Sequence, residues 1–185
     1  MRNAVVLLVG LGFAIPAMGM LRVSDARGKA AVTRVDLSAL KGQRAILVDL
    51  DGDHTPDTVK VRWEQTGYRV YIGEPYDEVI LTGFESEEDK VSMDIASAYV
   101  AGNAKPALLV YFTQATAMGD HLVIIDVLRT TMGLEPRFLF DSDAGFADGP
   151  VVVTPGMIEI RHFRGWLEAK YLWDGKKYIG QKVEE

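Results

Sequence analysis

The stretch AILVDLDGDHTPDTVKV, residues 45–61, decides the fold because it joins two apolar segments through a loop that carries four aspartates. Asp49, Asp51, Asp53 and Asp57 lie within nine positions, directly after the apolar run AILV. The segment that follows alternates apolar and polar residues, which is typical of a β-strand with one buried face. The stretch therefore predicts a strand-loop-strand unit whose carboxylates lie beside the core.

The rest of the chain also has the sequence pattern of β structure. The segments DTVKVRW and GYRVYIG, separated by EQT, predict a hairpin. Further strands are predicted at Glu78–Leu81, Ala107–Phe112, His121–Leu128, Arg137–Phe140, Met157–Phe163, Leu167–Trp173 and Lys177–Ile179. The pair Asp174-Gly175 predicts a two-residue turn between the last two. We expect an all-β, mainly antiparallel fold: a partial β-propeller-like array or a merged meander of two to three blade-like repeats, with a short helix near Leu37–Leu40.

The first residues, MRNAVVLLVGLGFAIPAMG, have the layout of a secretory signal peptide. Arg2 is followed by an apolar run, Pro16 interrupts that run, and Ala17-Met18-Gly19 offers a small-x-small cleavage site. The run is shorter than the roughly 20 residues that span a bilayer. The predicted organisation is a signal peptide at 1–19, an N-terminal segment at 20–44 and a single β domain at 45–185.

Charge and cysteine content narrow the classes of function. The 185-residue chain has no cysteine, which excludes disulfides, thiolate zinc sites and a cysteine nucleophile. The net charge is −6, and loss of Arg2 with the signal peptide would make it −7. An acidic protein of this kind has no broad attraction for nucleic acid or anionic lipid. We expect a periplasmic or secreted protein with no stable membrane span after cleavage, and the sequence leaves oligomerisation open.

An internal repeat appears when the chain is shifted by 50 residues. DLDGDHTPDTVKV then lies over YVAGNAKPALLVY, with Gly52 over Gly102 and Pro56 over Pro106. Matched glycine and proline positions in one strand-loop-strand frame predict repeats at about 45–94 and 95–140, followed by a hairpin region at 150–180. The second copy lacks the aspartates, so only the first is expected to bind a metal.

The spacing of the aspartates suits a hard cation. The four carboxylates occupy positions 1, 3, 5 and 9 of the loop, and Thr55 occupies position 7. Calcium takes about 6–8 oxygen ligands, some of them backbone carbonyls or water. Without a cation, two carboxylates about 4 Å apart repel by roughly 4 kcal/mol at an effective dielectric of about 20. An EF-hand does not fit, because it requires glycine at position 6 and glutamate at position 12, where this chain has His54 and Lys60.

The segment DLDGDHTPD resembles the calcium loop of FG-GAP and VCBS-type repeats, with the pattern D-x-D-G-D-x-x-x-D between two strands. The resemblance implies that Asp49, Asp51, Asp53 and Asp57 are side-chain ligands of calcium and that Thr55 is a backbone ligand. It departs at His54, where glycine is usual, which predicts some strain in the turn. In that family the loop stiffens a blade-like antiparallel sheet. We therefore expect a non-catalytic, exported protein whose calcium loop is structural: a binding or scaffold module of the cell envelope with a protein or glycan partner.

Three alternatives remain open. Haloacid-dehalogenase phosphatases also place an apolar strand before D-x-D-G, which would make Asp49 a nucleophile and Asp51 a general acid beside magnesium. Aromatic strand faces could instead belong to an exported inhibitor or ligand-binding protein. The loop could also be a metal-free acidic turn. A second cation loop at DSDAGFADG, residues 141–149, is less regularly spaced, and His54, His121 and His162 lack the spacing of zinc ligands.

Overall fold

Antiparallel strands account for most of the described residues in the computed structural model. The structure describes residues 34–37, 40, 42–64, 67–73, 78–85, 91–100, 105–114, 119–142 and 149–183. All of these belong to one compact unit, Val32–Glu185. The predicted signal peptide at 1–19 lies outside the described residues, and the domain boundaries stay a prediction.

Strands are distributed over three open sheets. They are β1 (Val35–Asp36), β2 (Ala45–Val48), β3 (Asp57–Glu64), β4 (Gly67–Ile72), β5 (Glu78–Glu85), β6 (Val91–Ala98), β7 (Ala107–Gln114), β8 (His121–Thr130), β9 (Gly133–Asp141), β10 (Val151–Thr154), β11 (Met157–Arg161), β12 (Leu167–Trp173) and β13 (Tyr178–Gln181). The first sheet has the order β2-β3-β4-β5, the middle sheet β6-β7-β8-β9 and the third sheet β1-β10-β11-β12-β13.

Each sheet is a meander, because strands that follow one another along the chain pair antiparallel. The one exception among the described strands is β1, which joins the edge of the third sheet by pairing with β10, with Val35 opposite Val153. The start of the domain is thereby held by the sheet that its last strands form. Val35 and Leu37 are buried in the core beneath this sheet, which anchors the short strand.

The middle sheet is buried on both faces. Leu108, Val110 and Phe112 on β7 pack in a core shared with the first sheet. The alternate residues Leu109 and Tyr111 pack in a second core, shared with the third sheet. Two buried faces explain why β7 is an uninterrupted apolar run, because alternation is expected only where one face meets water.

The all-β prediction is confirmed: the sheets form an antiparallel meander and do not close into a barrel. The β3–β4 hairpin has the predicted strands, with Trp63 opposite Tyr68. The strand-loop-strand frame of the second repeat predicts a strand before residue 99, where β6 lies. Sequence patterns missed β1 and β10, which have two and four residues, too few for periodicity to be evident.

The turn between β12 and β13 is a four-residue loop and not the predicted two-residue turn, because Trp173 pairs with Tyr178. The Asp174 carboxylate accepts the N–H groups of Lys176 (2.7 Å) and Lys177 (2.8 Å), which stabilises the wider loop.

The short helix expected near Leu37–Leu40 falls partly outside the described residues. Within the described residues, Leu40 N–H donates to the Leu37 carbonyl oxygen (3.1 Å). Over the described ranges, the chain contains no apolar helix of membrane-spanning length.

Candidate metal centre

The aspartate loop closes the first antiparallel strand pair of the first sheet. It begins after Val48 and ends at Asp57, which face each other in the β2–β3 register. Leu50, within the loop, is fully buried in the core between the first and middle sheets. The apolar side chain thus fixes the loop to the core. The chain leaves the loop as a strand, and not as a helix.

The Asp49 carboxylate stabilises the turn. Its two oxygens accept backbone N–H groups, Oδ1 from Gly52 (2.7 Å) and Oδ2 from His54 (3.0 Å). Gly52 has φ of 84° and His54 has φ of 68°. Positive φ is costless for glycine but uncommon for a side chain such as histidine. The strain that the sequence predicts at His54 therefore has a structural counterpart.

The remaining aspartates also accept backbone N–H groups, each through one oxygen. Asp51 Oδ1 accepts from Asp53 (3.1 Å), and Asp53 Oδ1 accepts from Thr55 (2.7 Å). Asp57 Oδ2 accepts from Leu50 (3.0 Å). These bonds hold the loop in a curl, and they leave the second oxygen of each carboxylate for another partner.

Three of the predicted ligands lie together. One ligand oxygen each from Asp49, Asp51 and Asp57 lies within 4.8 Å of the others, so the three could hold a metal ion. Asp53 lies outside this group, and Thr55 enters the loop's described contacts through its N–H. The donor set consists of carboxylate oxygens, which suits hard cations such as calcium and magnesium.

The electrostatics of the loop also favour a cation. Burial raises the pKa of Asp57 above its ordinary value, and the neighbouring charges of Asp51 and Asp53 raise it further. The Leu50 N–H and the Arg129 guanidinium oppose this shift without cancelling it. A bound cation would favour the ionised form of Asp57.

Arg129, which the sequence patterns did not single out, lies against these carboxylates. It is near the end of β8 in the middle sheet, and its Nε donates to Asp51 Oδ2 (2.5 Å). Its Nη2 also pairs with Asp51 Oδ2 and lies 3.4 Å from Asp53 Oδ2. The Asp51 side chain has no exposed surface, whereas that of Arg129 is 55% exposed. No local sequence signal marks Arg129, because the contact joins residues 78 positions apart.

A second basic residue fixes the loop from below. Lys105 Nζ donates to the carbonyl oxygens of Leu50 (2.8 Å) and Val127. It also lies 3.0 Å from Oδ1 of the buried Asp126, whose Oδ2 pairs with Arg137 (2.5 Å). The loop of the first sheet is therefore held to the middle sheet through Lys105, which pairs with the buried Asp126. Lys105 precedes Pro106, which lies opposite Pro56 in the 50-residue repeat.

His121 and His162 lie apart from this centre. His121 pairs with Asp141 (2.6 Å) at the opposite end of β8 from Arg129, and His162 stacks on Trp166 at 3.9 Å. His54 is on the loop, 3.8 Å from Asp49. Of the second proposed cation loop, Asp143 and Asp148 lie outside the described residues. Tyr68, Tyr171, Tyr178 and Trp173 pack on the cores, whereas Trp166 is exposed.

Fold and site together define an antiparallel all-β protein with an acidic loop able to hold a metal ion. No protein-family model matches the chain, and no curated protein or solved structure is significantly similar to it.

Proposed function

We propose that this protein is a non-catalytic, exported module in which a calcium ion bound by the acidic loop has a structural role. The observation that carries the proposal is the convergence of Asp49, Asp51 and Asp57 oxygens within 4.8 Å at the β2–β3 connection. The spacing D-x-D-G-D-x-x-x-D, with its resemblance to FG-GAP and VCBS-type loops, supports calcium as the ion. Asp53 and the Thr55 carbonyl would complete the ligand set.

A structural role follows from where the loop lies. It connects two adjacent strands, its Leu50 is in the core, and the middle sheet contacts it through Arg129 and Lys105. An ion at this position would stabilise the β2–β3 pair and the contact between two sheets. Export, which the signal-like N-terminus supports, would bring the loop to a compartment where calcium is abundant, and the partner in the cell envelope would be a protein or a glycan.

The proposal is tested by thermal unfolding in chelator and in millimolar calcium. A ligand that binds only the folded state adds about 2.7 kcal/mol at 100 times its Kd, so calcium should raise Tm by several degrees. Asp51→Ala should abolish this rise. The matched control is Asp174→Ala, which removes another turn carboxylate that accepts two backbone N–H groups but lies in the third sheet. This control should keep the calcium response. A wild-type Tm that is the same in chelator and in calcium would refute the proposal.

A further inference from the structure

The oxygens of the acidic loop are divided between two kinds of partner. Backbone N–H groups take both oxygens of Asp49, Oδ1 of Asp51 and Oδ1 of Asp53. The oxygens of Asp51 and Asp53 that the backbone leaves, both Oδ2, are those that Arg129 contacts. The guanidinium therefore lies against the second carboxylate oxygen of both Asp51 and Asp53.

The contact with Arg129 is an observation independent of the loop's own geometry. The arginine belongs to a different sheet and reaches Asp51 from 78 positions away in sequence. Its Nε and Nη2 both contact Oδ2 of Asp51, whose side chain has no exposed surface. Interaction with Asp51 raises the pKa of Arg129 above its ordinary value, as expected of a cation held by several carboxylates. A positive charge is thus already recruited to the site by the folded protein.

We propose that Arg129 is the internal cation of the metal-free loop and that a divalent cation binds by displacing its guanidinium from Asp51 and Asp53. This inference rests on the proposed function, because it concerns the same site, and it adds that the site is regulated by an intramolecular competitor. A divalent ion bound to Asp51 through Oδ2 would take the position that the guanidinium now occupies. The ion and the guanidinium would also repel each other at contact distance.

Displacement is sterically feasible because the Arg129 side chain borders solvent. Its side chain is 55% exposed and near the end of β8, two residues before the β8–β9 turn at 131–132. Rotation of the side chain into solvent would free Asp51 without disturbing the strand. Lys105, in contrast, is held by two carbonyl oxygens and by Asp126, and it would keep its place beneath the loop.

The test is calorimetric titration of the folded protein with calcium alone, at constant ionic strength, for the wild type and three variants. Arg129→Gln removes the competitor and should bind calcium about tenfold or more tightly than the wild type. Arg129→Lys retains a positive charge and should gain much less. The matched control is Arg161→Gln, which removes one positive charge from an arginine of similar exposure that pairs with Glu159 in the third sheet. It should bind calcium as the wild type does.

A second readout separates displacement from a purely structural role. In chelator, Arg129→Gln should have a lower Tm than the wild type, because the carboxylates lose their counter-ion, and calcium should then raise its Tm by more than it raises that of the wild type. Wild-type binding together with equal or weaker binding by Arg129→Gln would overturn the inference and leave the proposed function standing. Binding by Arg129→Gln alone would refute both, because calcium would then not displace the guanidinium of the wild type. Absence of binding by both would refute both.

Discussion

At the scale of the residue, the buried carboxylate of Asp94 on β6 makes a structural contact, although burial disfavours its charged form. Its side chain accepts the Gly42 N–H (2.8 Å), next to the bond from Ile95 N–H to the Gln43 carbonyl oxygen (2.8 Å). Together these bonds hold the segment before β2 to an edge strand of the middle sheet. Burial raises the pKa of Asp94 above its ordinary 3.8, although the Gly42 N–H and Arg44 lower it.

The raised pKa predicts how stability depends on pH. The folded state binds a proton at Asp94 more tightly than the unfolded state, so the contribution of this group is fully present below pH 3.8 and is lost as pH rises through the raised value. Asp94→Asn keeps an acceptor for Gly42 and does not titrate. The free energy of unfolding of this variant, relative to the wild type, should increase from about pH 4 to about pH 7 in urea titrations.

Asp174→Asn provides a control of opposite sign. The Lys177 and Lys176 N–H groups lower the pKa of Asp174 below 3.8, so its contribution is present above pH 3.8 and is lost as pH falls through the lowered value. Relative to the wild type, this variant should lose stability as pH rises towards and through 3.8. A pH-independent difference for Asp94→Asn would show that the pKa of this carboxyl is not raised in solution.

At the scale of the element, β7 shows what two-sided burial does to a strand. The neighbours Leu108 and Leu109 are both fully buried, and they belong to different cores. In a sheet with one solvent face, only one of two adjacent residues would carry packing energy. Here both should.

Leu108→Ala and Leu109→Ala should therefore destabilise the protein to a similar extent, each by about 2–5 kcal/mol, because each leaves a cavity in a closed core. The measurement is the free energy of unfolding from denaturant titrations of the two variants. Leu172→Ala on β12 is the matched control, since Leu172 is 38% exposed, and it should cost clearly less. A large cost at only one of the two β7 positions would contradict a middle sheet buried on both faces.

At the scale of the whole molecule, the middle sheet provides one side of each of the two cores. The first sheet cannot separate without exposing Val110 and Ile125, and the third cannot separate without exposing Leu109 and Ile124. Lys105, which pairs with the buried Asp126, adds a polar link between the loop and this sheet. Unfolding of one interface would remove much of the packing that supports the other.

We therefore expect a single cooperative unfolding transition in the described β region. Trp63 reports on the first sheet and Trp173 on the third, so each can be kept as the sole tryptophan, in W166F/W173F and in W63F/W166F. In each variant, tryptophan fluorescence and far-UV circular dichroism should give the same denaturant midpoint. Fluorescence of Trp63 that changes well before the dichroism would indicate that the first sheet unfolds separately.

Much of the architecture was accessible from local sequence patterns. The alternation in β3 and β4 identified the hairpin, and the run of apolar residues at 107–112 identified β7. The candidate site was found from spacing alone, because Asp49, Asp51 and Asp57 are close in sequence and converge in the structure. The strands β1 and β10 escaped prediction, since pairing and burial against other sheets, and not periodicity, define them.

The sequence by itself determined an antiparallel β protein and an oxygen-rich loop between two of its strands, because strand alternation and loop curvature depend on residues within a few positions of one another. Only the tertiary structure decided which sheet lies in the middle, and which distant cations, Arg129 and Lys105, reach that loop. These contacts join residues 55 or more positions apart, and their formation depends on how whole sheets pack together. No pattern within a single strand contains that information.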